Sequence, residues 1–180
     1  MLIIIIVFFF GVGCSEKWKE EVQLSDDRII VVERERLSEG GGGEWAHNRS
    51  GTKPKEYRIR FIHPDKPGEM IEWRSTKISP GTYPEKPLIL DLESGNPIVY
   101  AIVAINGVCE VYSKYIYRNG AWVEEALPEK FKQRTTNLFL RVGANMQKYV
   151  ALETKRKVNA DLGYRQSIRQ VGPNRKVCSP

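Results

Sequence analysis

Few residues of this sequence combine the types and the spacing that catalysis requires. Asp91 and Glu93 lie two positions apart at the end of an apolar run, so a strand would place both carboxylates on one face, as glycosidases require. Two acids on the solvent face of a strand are the commoner arrangement and stay as the alternative. The chain has two histidines, His47 and His63, and neither has the spacing of an HExxH motif or of paired metal ligands.

The other common catalytic motifs are also absent. Cys109 lies in an apolar run without the basic neighbours that favour a reactive thiolate. The glycine run Gly40 to Gly43 lacks the Gly-Lys-Ser/Thr ending of a phosphate-binding loop, and no Gly-x-Ser-x-Gly motif is present. We therefore predict no catalytic residues, no cofactor and no metal. A hydrolase that uses Asp91, Glu93 or His47 stays as the competing class.

A long polar loop is the first candidate binding surface. It begins with the glycine run Gly40 to Gly43 and continues to Pro54, a length at which loops often carry function. Trp45, His47 and Arg49 are its candidate binding residues. In the alternative interpretation, Trp45 folds back onto the core and the other two side chains are solvated.

The positive charge of the chain is concentrated near its C-terminus. Residues 148–180 contain eight basic and two acidic residues, a balance of +6 that equals the formal net charge of the whole chain. Such a segment can bind phosphate groups, although a solvated helix face would have the same composition. The candidate anion-binding residues are Lys155, Arg156, Lys157, Arg165 and Arg169.

Two Asn-Gly pairs indicate the centre of the fold, because Asn-Gly readily adopts the positive φ angles of a type I′ hairpin turn. Asn106-Gly107 and Asn119-Gly120 divide the stretch from Pro97 to Ala126 into a β-meander of three strands. Ile98 to Ile105 is almost wholly apolar and should be the strand that is covered on both faces. The aromatic residues of the meander are Tyr112, Tyr115, Tyr117 and Trp122. They are predicted to pack across the strands, and a sugar- or peptide-binding strip is the alternative.

Period-two patterns, turns and helical spacing predict the remaining elements. Five further strands and two helical segments are expected. The strands are Arg28 to Glu33 with a solvated edge extension to Arg36, a hairpin of Tyr57 to His63 and Met70 to Arg74, Leu88 to Leu92, and Asn137 to Val142; the helices are Met146 to Asn159 and Tyr164 to Val171. Together they predict a mainly β fold, an antiparallel sandwich or curved sheet with a C-terminal helical segment.

The first fourteen residues carry a family resemblance. An uncharged apolar run, Leu2 to Gly11, is followed by Gly11-Val12-Gly13-Cys14, which resembles the lipobox of bacterial lipoprotein precursors. The resemblance implies that residues 1–13 are a signal peptide and that Cys14 is lipidated, whereas an uncleaved membrane anchor or a buried strand are the alternatives. Position −3 is Gly11 where the family usually has Leu. No Lys or Arg precedes the run, as expected if the start codon lies upstream of Met1.

The resemblance also implies a domain plan and a location. After the signal peptide, residues 14–21 would be a lipidated tether, residues 22–142 the β domain, and residues 143–180 a basic helical segment packed on it. Ser15 after the lipidated cysteine implies the periplasmic face of the outer membrane. The segment Tyr112 to Pro128 is similar to uncharacterised proteobacterial envelope proteins, which implies no activity.

Export makes a disulfide plausible, because an oxidising compartment favours the pairing of the two remaining cysteines, Cys109 and Cys178. One buried and one free cysteine are the alternative. Export also removes nucleic acid as a routine partner and leaves an envelope protein or an anionic envelope polymer. The expected function is non-catalytic binding or scaffolding at the membrane. An immunity or inhibitor protein against an envelope-acting enzyme is the second hypothesis.

Overall fold

The computed structural model describes residues 14–40, 52–79, 83–105, 109–128, 131, 134–140, 147–160 and 170–171. Most of these residues lie in β-strands, so the prediction of a mainly β fold with a helix near the C-terminus is confirmed. The elements are β1 (Cys14–Gln23), β2 (Ile29–Gly40), β3 (Thr52–Ile62), β4 (Met70–Arg74), β5 (Lys86–Glu93), β6 (Asn96–Ile105), β7 (Cys109–Arg118), β8 (Ala121–Glu125), β9 (Arg134–Thr135), β10 (Tyr149–Val150), α1 (Leu152–Ala160) and β11 (Gln170–Val171).

The strands form two main sheets that share one core. The five-stranded sheet has the order β10-β1-β2-β3-β4, and the four-stranded sheet has the order β5-β6-β7-β8. Neighbouring strands are antiparallel except β1 and β10. The core contains Ile59 and Trp73 from the first sheet and Val99 and Tyr115 from the second, and the rings of Trp73 and Tyr115 meet edge to face at 5.8 Å. The sheets therefore pack face to face as a sandwich.

The predicted meander is present as β6, β7 and β8. The turn between β7 and β8 has φ angles of 52° at Asn119 and 81° at Gly120, as a type I′ turn requires. The other turn, Asn106-Gly107, lies outside the described residues. Strand β6 is an inner strand and is buried on both faces, because Val99 belongs to the shared core and Ile98 to a second apolar cluster behind the sheet. The prediction that this strand lies inside a sheet and is covered on both faces is confirmed.

The hairpin of β3 and β4 is also confirmed. Tyr57, Ile59, Phe61 and His63 are all buried on the inner face, as the alternation predicts. Its connecting residues 63–69 are closed by backbone hydrogen bonds, including His63 N–H to Glu69 O at 2.8 Å.

Strands β1 and β2 correct two predictions. Residues 14–21 are not a tether but the first part of β1, whose Trp18, Glu20 and Val22 point into the sandwich. The inward carboxylate of Glu20 interrupts the apolar alternation, which is why the segment has the composition of a solvated tether. Residues 33–36 are not a solvated edge either, because β2 lies between β1 and β3 and buries both Arg34 and Glu35.

The segment after the meander differs from the prediction as well. Residues 137–140 of the predicted strand Asn137 to Val142 do not form one, and the Asn137 amide group instead pairs with the open edge of β5. Its Oδ1 accepts the Leu90 N–H at 3.0 Å, and its Nδ2 donates to Leu90 O at 2.7 Å and to Gln23 O at 3.0 Å. One side chain thereby joins both sheets.

The helical predictions are confirmed only in part. Helix α1 (Leu152–Ala160) is shorter than the predicted Met146 to Asn159, because Tyr149 and Val150 pair with β1 as β10. Of the second predicted helix, Gln170 and Val171 form a strand pair with β9, and the residues before them lie outside the described residues.

Candidate functional site

The two ends of the sandwich differ in what they expose. Cys14 begins β1 at one end, which we call the Cys14 end; it is exposed, forms no disulfide, and pairs with Ser38 of β2. Strands β2 and β3 meet beside it at the Gly40–Thr52 pair. The predicted binding residues Trp45, His47 and Arg49 belong to the loop that starts from this pair, and they lie outside the described residues.

The opposite end, the turn end, consists of four hairpin connections: residues 24–28, 63–69, 94–95 and 119–120. Connections from the two sheets meet there, since the Asp65 carboxylate lies beside Gly95 of the β5–β6 connection. Within the five-stranded sheet, Asp65 also accepts a hydrogen bond from Arg28 at 2.5 Å. A strand rises about 3.3 Å per residue, so the ten residues of β1 separate the two ends by roughly 30 Å.

A polar cleft with a volume of about 250 Å³ opens at the turn end. Both sheets contribute to it, through residues 63–69 of the β3–β4 connection, the start of β6, and the β7–β8 turn. Its lining residues are His63, Lys66, Glu69, Asn96, Tyr117, Arg118, Asn119 and Gly120. The individual turns were predicted, but no spacing in the sequence indicates that turns of different sheets meet.

His63 is the most buried of the polar residues in the cleft, with 3% of its surface exposed. Its Nδ1 accepts a hydrogen bond from the Asp65 backbone N–H at 3.0 Å, so the proton of the neutral ring lies on Nε2. The Asp65 carboxylate is held in turn by Arg28. The imidazole is thus fixed in orientation, with Nε2–H as a donor.

The described part of the predicted basic surface requires a correction at Lys155. The side chain of Lys155 is 1% exposed, so it does not contact solvent anions. Its Nζ lies 2.7 Å from Glu20 Oε2 and also donates to the carbonyl oxygens of Glu21 and Asn137. Burial lowers the pKa of Lys155, and the Glu20 carboxylate opposes that effect.

Glu20 is the centre of this buried network. It is fully buried and accepts hydrogen bonds from Arg34 at 2.6 Å, from Lys155, and from the Phe139 backbone N–H at 2.7 Å. The guanidinium of Arg34 also lies over the ring of Trp18 at 5.3 Å. The network attaches helix α1 and residues 137–139 to β1.

Only two predicted anion-binding residues are described and solvent-facing. The Lys157 side chain is 76% exposed and forms an i,i+4 ion pair with Glu153, and Arg156 is exposed with a long contact to Gln23. Arg165 and Arg169 lie outside the described residues. The anion-binding prediction for the remaining four residues therefore stays a prediction.

The two candidate catalytic carboxylates have structural partners. Asp91 is buried and accepts the backbone N–H groups of Ser25 and Leu92, both at 2.9 Å, together with a bond from Arg134. Glu93 pairs with the buried ammonium of Lys114 at 2.6 Å. These partners favour a structural role for both acids over a glycosidase pair. The alternative of two acids on a solvent face is nevertheless wrong for Asp91, which is buried.

The aromatic residues of the meander pack as predicted. The Tyr117 and Trp122 rings lie 5.3 Å apart across the β7–β8 turn, and Tyr112 lies 6.3 Å from Phe131. Tyr115 donates a hydrogen bond to the fully buried Glu85 at 2.8 Å, and burial raises the pKa of Tyr115. Packing accounts for three of the rings, while Tyr117 also lines the cleft.

The outer face of the five-stranded sheet has a charged part and an apolar part. In the charged part, Glu35 of β2 pairs with Lys17, Arg58 and Arg60 of the flanking strands. Burial alone would raise the pKa of Glu35, but the bonds from Ser15 and Lys17 hold it below the ordinary value.

Near the turn end the same face exposes four large apolar side chains, which we call the apolar patch. They lie on adjacent strands: Ile62 of β3 is opposite Met70 of β4. Val31 and Ile62 each lie two residues beyond Glu33 and Arg60, the last β2–β3 pair at this end. The patch consists of Ile29, Val31, Ile62 and Met70, which are 55%, 50%, 53% and 61% exposed. Contiguous exposed apolar surface of this kind is typical of interaction sites.

Comparison with known proteins identifies no relative: no family model, no curated protein and no solved structure matches the chain. Within the described residues, no three His, Cys, Asp or Glu side chains are grouped to hold a metal ion, and no helix has the length and apolarity to cross a membrane. Cys178 and the side chain of Cys109 are not described, so their disulfide stays a prediction.

Proposed function

We propose that this protein is a lipid-anchored binding or scaffolding protein on the periplasmic face of the bacterial outer membrane, acylated at Cys14. The observation that carries the proposal is the exposure of Cys14 at the first position of β1, at the end of the sandwich opposite the cleft and the apolar patch. A lipid on Cys14 would hold the Cys14 end at the membrane and direct the turn end toward the periplasm.

The position of Cys14 also limits how the domain would be held. Because residues 14–21 belong to β1, the acyl chains would join the folded sandwich without an intervening tether. The cleft would then lie about 30 Å above the membrane surface, the length of a ten-residue strand. Binding partners would therefore be periplasmic molecules or polymers at about that height.

The non-catalytic role is supported by how the buried charged groups are used. Glu20, Glu85 and Asp91 each accept backbone N–H bonds, and Lys114 and Lys155 each neutralise a carboxylate. Groups satisfied in this way stabilise the fold and are poorly placed for proton transfer to a substrate.

Metabolic labelling with a clickable fatty acid tests the anchor. The full-length protein should incorporate the label, and the Cys14→Ser variant should not. Cys109→Ser is the matched control, because it removes a different cysteine and should keep the label. Equal labelling of the wild type and Cys14→Ser would refute the lipid anchor.

A second candidate function, an immunity or inhibitor protein against an envelope-acting enzyme, is favoured by the apolar patch. Exposed apolar residues with a charged surround have the layout of a protein interface, with an apolar centre and a polar rim. Arg28, Arg60, Glu69 and Glu72 lie on the strands and connections around the patch. An enzyme partner would bury Ile62 and Met70 against its own surface.

Crosslinking in intact cells distinguishes the two candidates. A photo-crosslinker at Ile62 should capture one defined enzyme if the protein is an inhibitor, and the purified protein should then inhibit that enzyme. Capture of a non-enzymatic protein or of an envelope polymer supports the scaffolding role instead. A crosslinker at Glu153 on the exposed face of α1 is the control position.

A further inference from the structure

We propose that the turn-end cleft binds a ligand of monosaccharide size through an anionic group, a carboxylate or a phosphate. The inference rests on the proposed binding function and specifies its ligand class. It follows from three features of the cleft: the fixed donor of His63, the excess of cationic over anionic side chains, and the volume.

The first feature is the prepared donor. The His63 ring is almost fully buried, its Nδ1 is occupied by the Asp65 N–H, and Asp65 is fixed by Arg28. Within the described part of the chain, the ring forms no hydrogen bond other than the one at Nδ1. Nε2–H is therefore the donor available to a ligand. Donors held in place before binding cost little further ordering, which favours binding over a purely structural role.

The second feature is charge. Lys66 and Arg118 line the cleft together with His63, whereas Glu69 is the single carboxylate among the lining residues. The Glu69 carboxylate lies 3.5 Å from the Lys66 ammonium, and one N–H group of Arg118 donates a hydrogen bond to Glu125 at 2.6 Å. A guanidinium has five N–H donors, so Arg118 can bind a ligand oxygen while it keeps this bond. The two cations are each paired with one carboxylate, but both keep further N–H donors, so an anion would meet several directed donors.

The third feature is size. A volume of about 250 Å³ is slightly below the roughly 300–1,000 Å³ of typical small-molecule sites. This volume suits one monosaccharide unit and is too small for a folded peptide segment. Asn96 and the hydroxyl of Tyr117 line the same cleft and can exchange hydrogen bonds with sugar hydroxyls.

Titration of the full-length protein in detergent tests the proposal, with glucose 6-phosphate, glucuronate and glucose as probes at low ionic strength. At least one anionic sugar should bind saturably, and glucose should bind at least about tenfold more weakly, as expected for loss of a charge-assisted hydrogen bond. Binding by only one of the anionic sugars would identify phosphate or carboxylate as the recognised group. Failure of both anionic sugars to bind, or equal binding of glucose, would overturn the proposal.

Two further readouts locate the ligand. Arg118→Gln should weaken binding about tenfold, while Arg74→Gln, at an arginine of similar exposure on the outer face, should leave it unchanged. The His63 ring-proton resonance should shift on titration; it is assigned as the histidine signal that persists in His47→Gln. Equal affinities of the two arginine variants would overturn the site. Fatty-acid labelling of Cys14 is independent of all these results, so failure here leaves the anchor assignment intact.

Discussion

At the scale of single residues, the buried charges are the least expected feature of this sandwich. Glu20 serves two buried cations, Arg34 and Lys155, and a backbone N–H at the same time. A buried carboxylate with this many donors is satisfied. Within the described residues, neither Arg34 nor Lys155 forms an ion pair with any other carboxylate, so both cations depend on Glu20. Removal of Glu20 should therefore cost more than removal of either cation.

The first prediction concerns Glu20→Gln. The substitution keeps the side-chain volume but leaves two buried cations without a counter-charge, so we expect a loss of about 4 kcal/mol in the free energy of unfolding. Adding Lys155→Met to Glu20→Gln should recover part of that loss, because one uncompensated cation is removed. Denaturant unfolding measures both.

The matched control is Glu153→Gln, which removes an ion pair whose two side chains are 75% and 76% exposed. Exposed pairs contribute little, so this variant should change stability by less than about 0.5 kcal/mol. A Glu20→Gln variant as stable as Glu153→Gln would contradict the role assigned to the buried network.

At the scale of elements, helix α1 depends on the first strand for its N-terminal cap. Glu21 of β1 accepts the Leu152 N–H at 2.8 Å and the Tyr149 hydroxyl at 2.8 Å. These two bonds hold the pKa of Glu21 below its ordinary value of 4.5. A short helix with little apolar periodicity would be marginal alone, so its stability comes from such tertiary contacts.

The second prediction follows from the sign of this shift. A lowered pKa in the folded state means that Glu21 contributes its full stabilisation above pH 4.5, and that the contribution is lost as the pH falls through the folded-state value. We expect the protection of residues 149–160 against amide exchange, corrected for the intrinsic exchange rate at each pH, to fall in that acidic range before the protection of β6 does. Exchange measured by mass spectrometry over a pH series would show it.

Glu21→Gln should remove this pH dependence, because the substituted side chain no longer titrates. Glu33→Gln is the control: it removes an exposed ion pair with Lys19 on the same sheet and should leave the acid response of α1 unchanged. Identical pH profiles for the wild type and Glu21→Gln would show that another group controls the release of the helix.

At the scale of the whole molecule, the two ends of the sandwich divide the proposed work. The Cys14 end would contact the membrane, and the turn end carries the cleft and the apolar patch. The division arises from the antiparallel order of the strands, which places the β1–β2, β3–β4, β5–β6 and β7–β8 connections at one end and the β2–β3 and β6–β7 connections at the other.

The third prediction is the disulfide between Cys109 and Cys178, which would tie the C-terminal tail to β7. On the chain-entropy model, closing a loop of this length contributes about 4 kcal/mol. Mass spectrometry of non-reduced peptides from periplasmic protein should find the cross-linked pair, and the reduced protein should unfold at a lower temperature. Two free thiols in that sample would refute the bond.

The sequence alone determined the elements whose signals are local. Alternation in Tyr57 to His63, the apolar run of β6, and the Asn119-Gly120 turn each depend on neighbouring residues, so strands, hairpins and the mainly β class were predictable. Tertiary structure decided what depends on distant partners. Segments rich in charge, such as β1 and the residues around Lys155, have a solvated composition. Yet Glu20 of β1 binds both Arg34 of the neighbouring strand β2 and Lys155 of helix α1, which is far away along the chain. The cleft likewise exists only because turns of two sheets meet, and no spacing within either sheet encodes that contact.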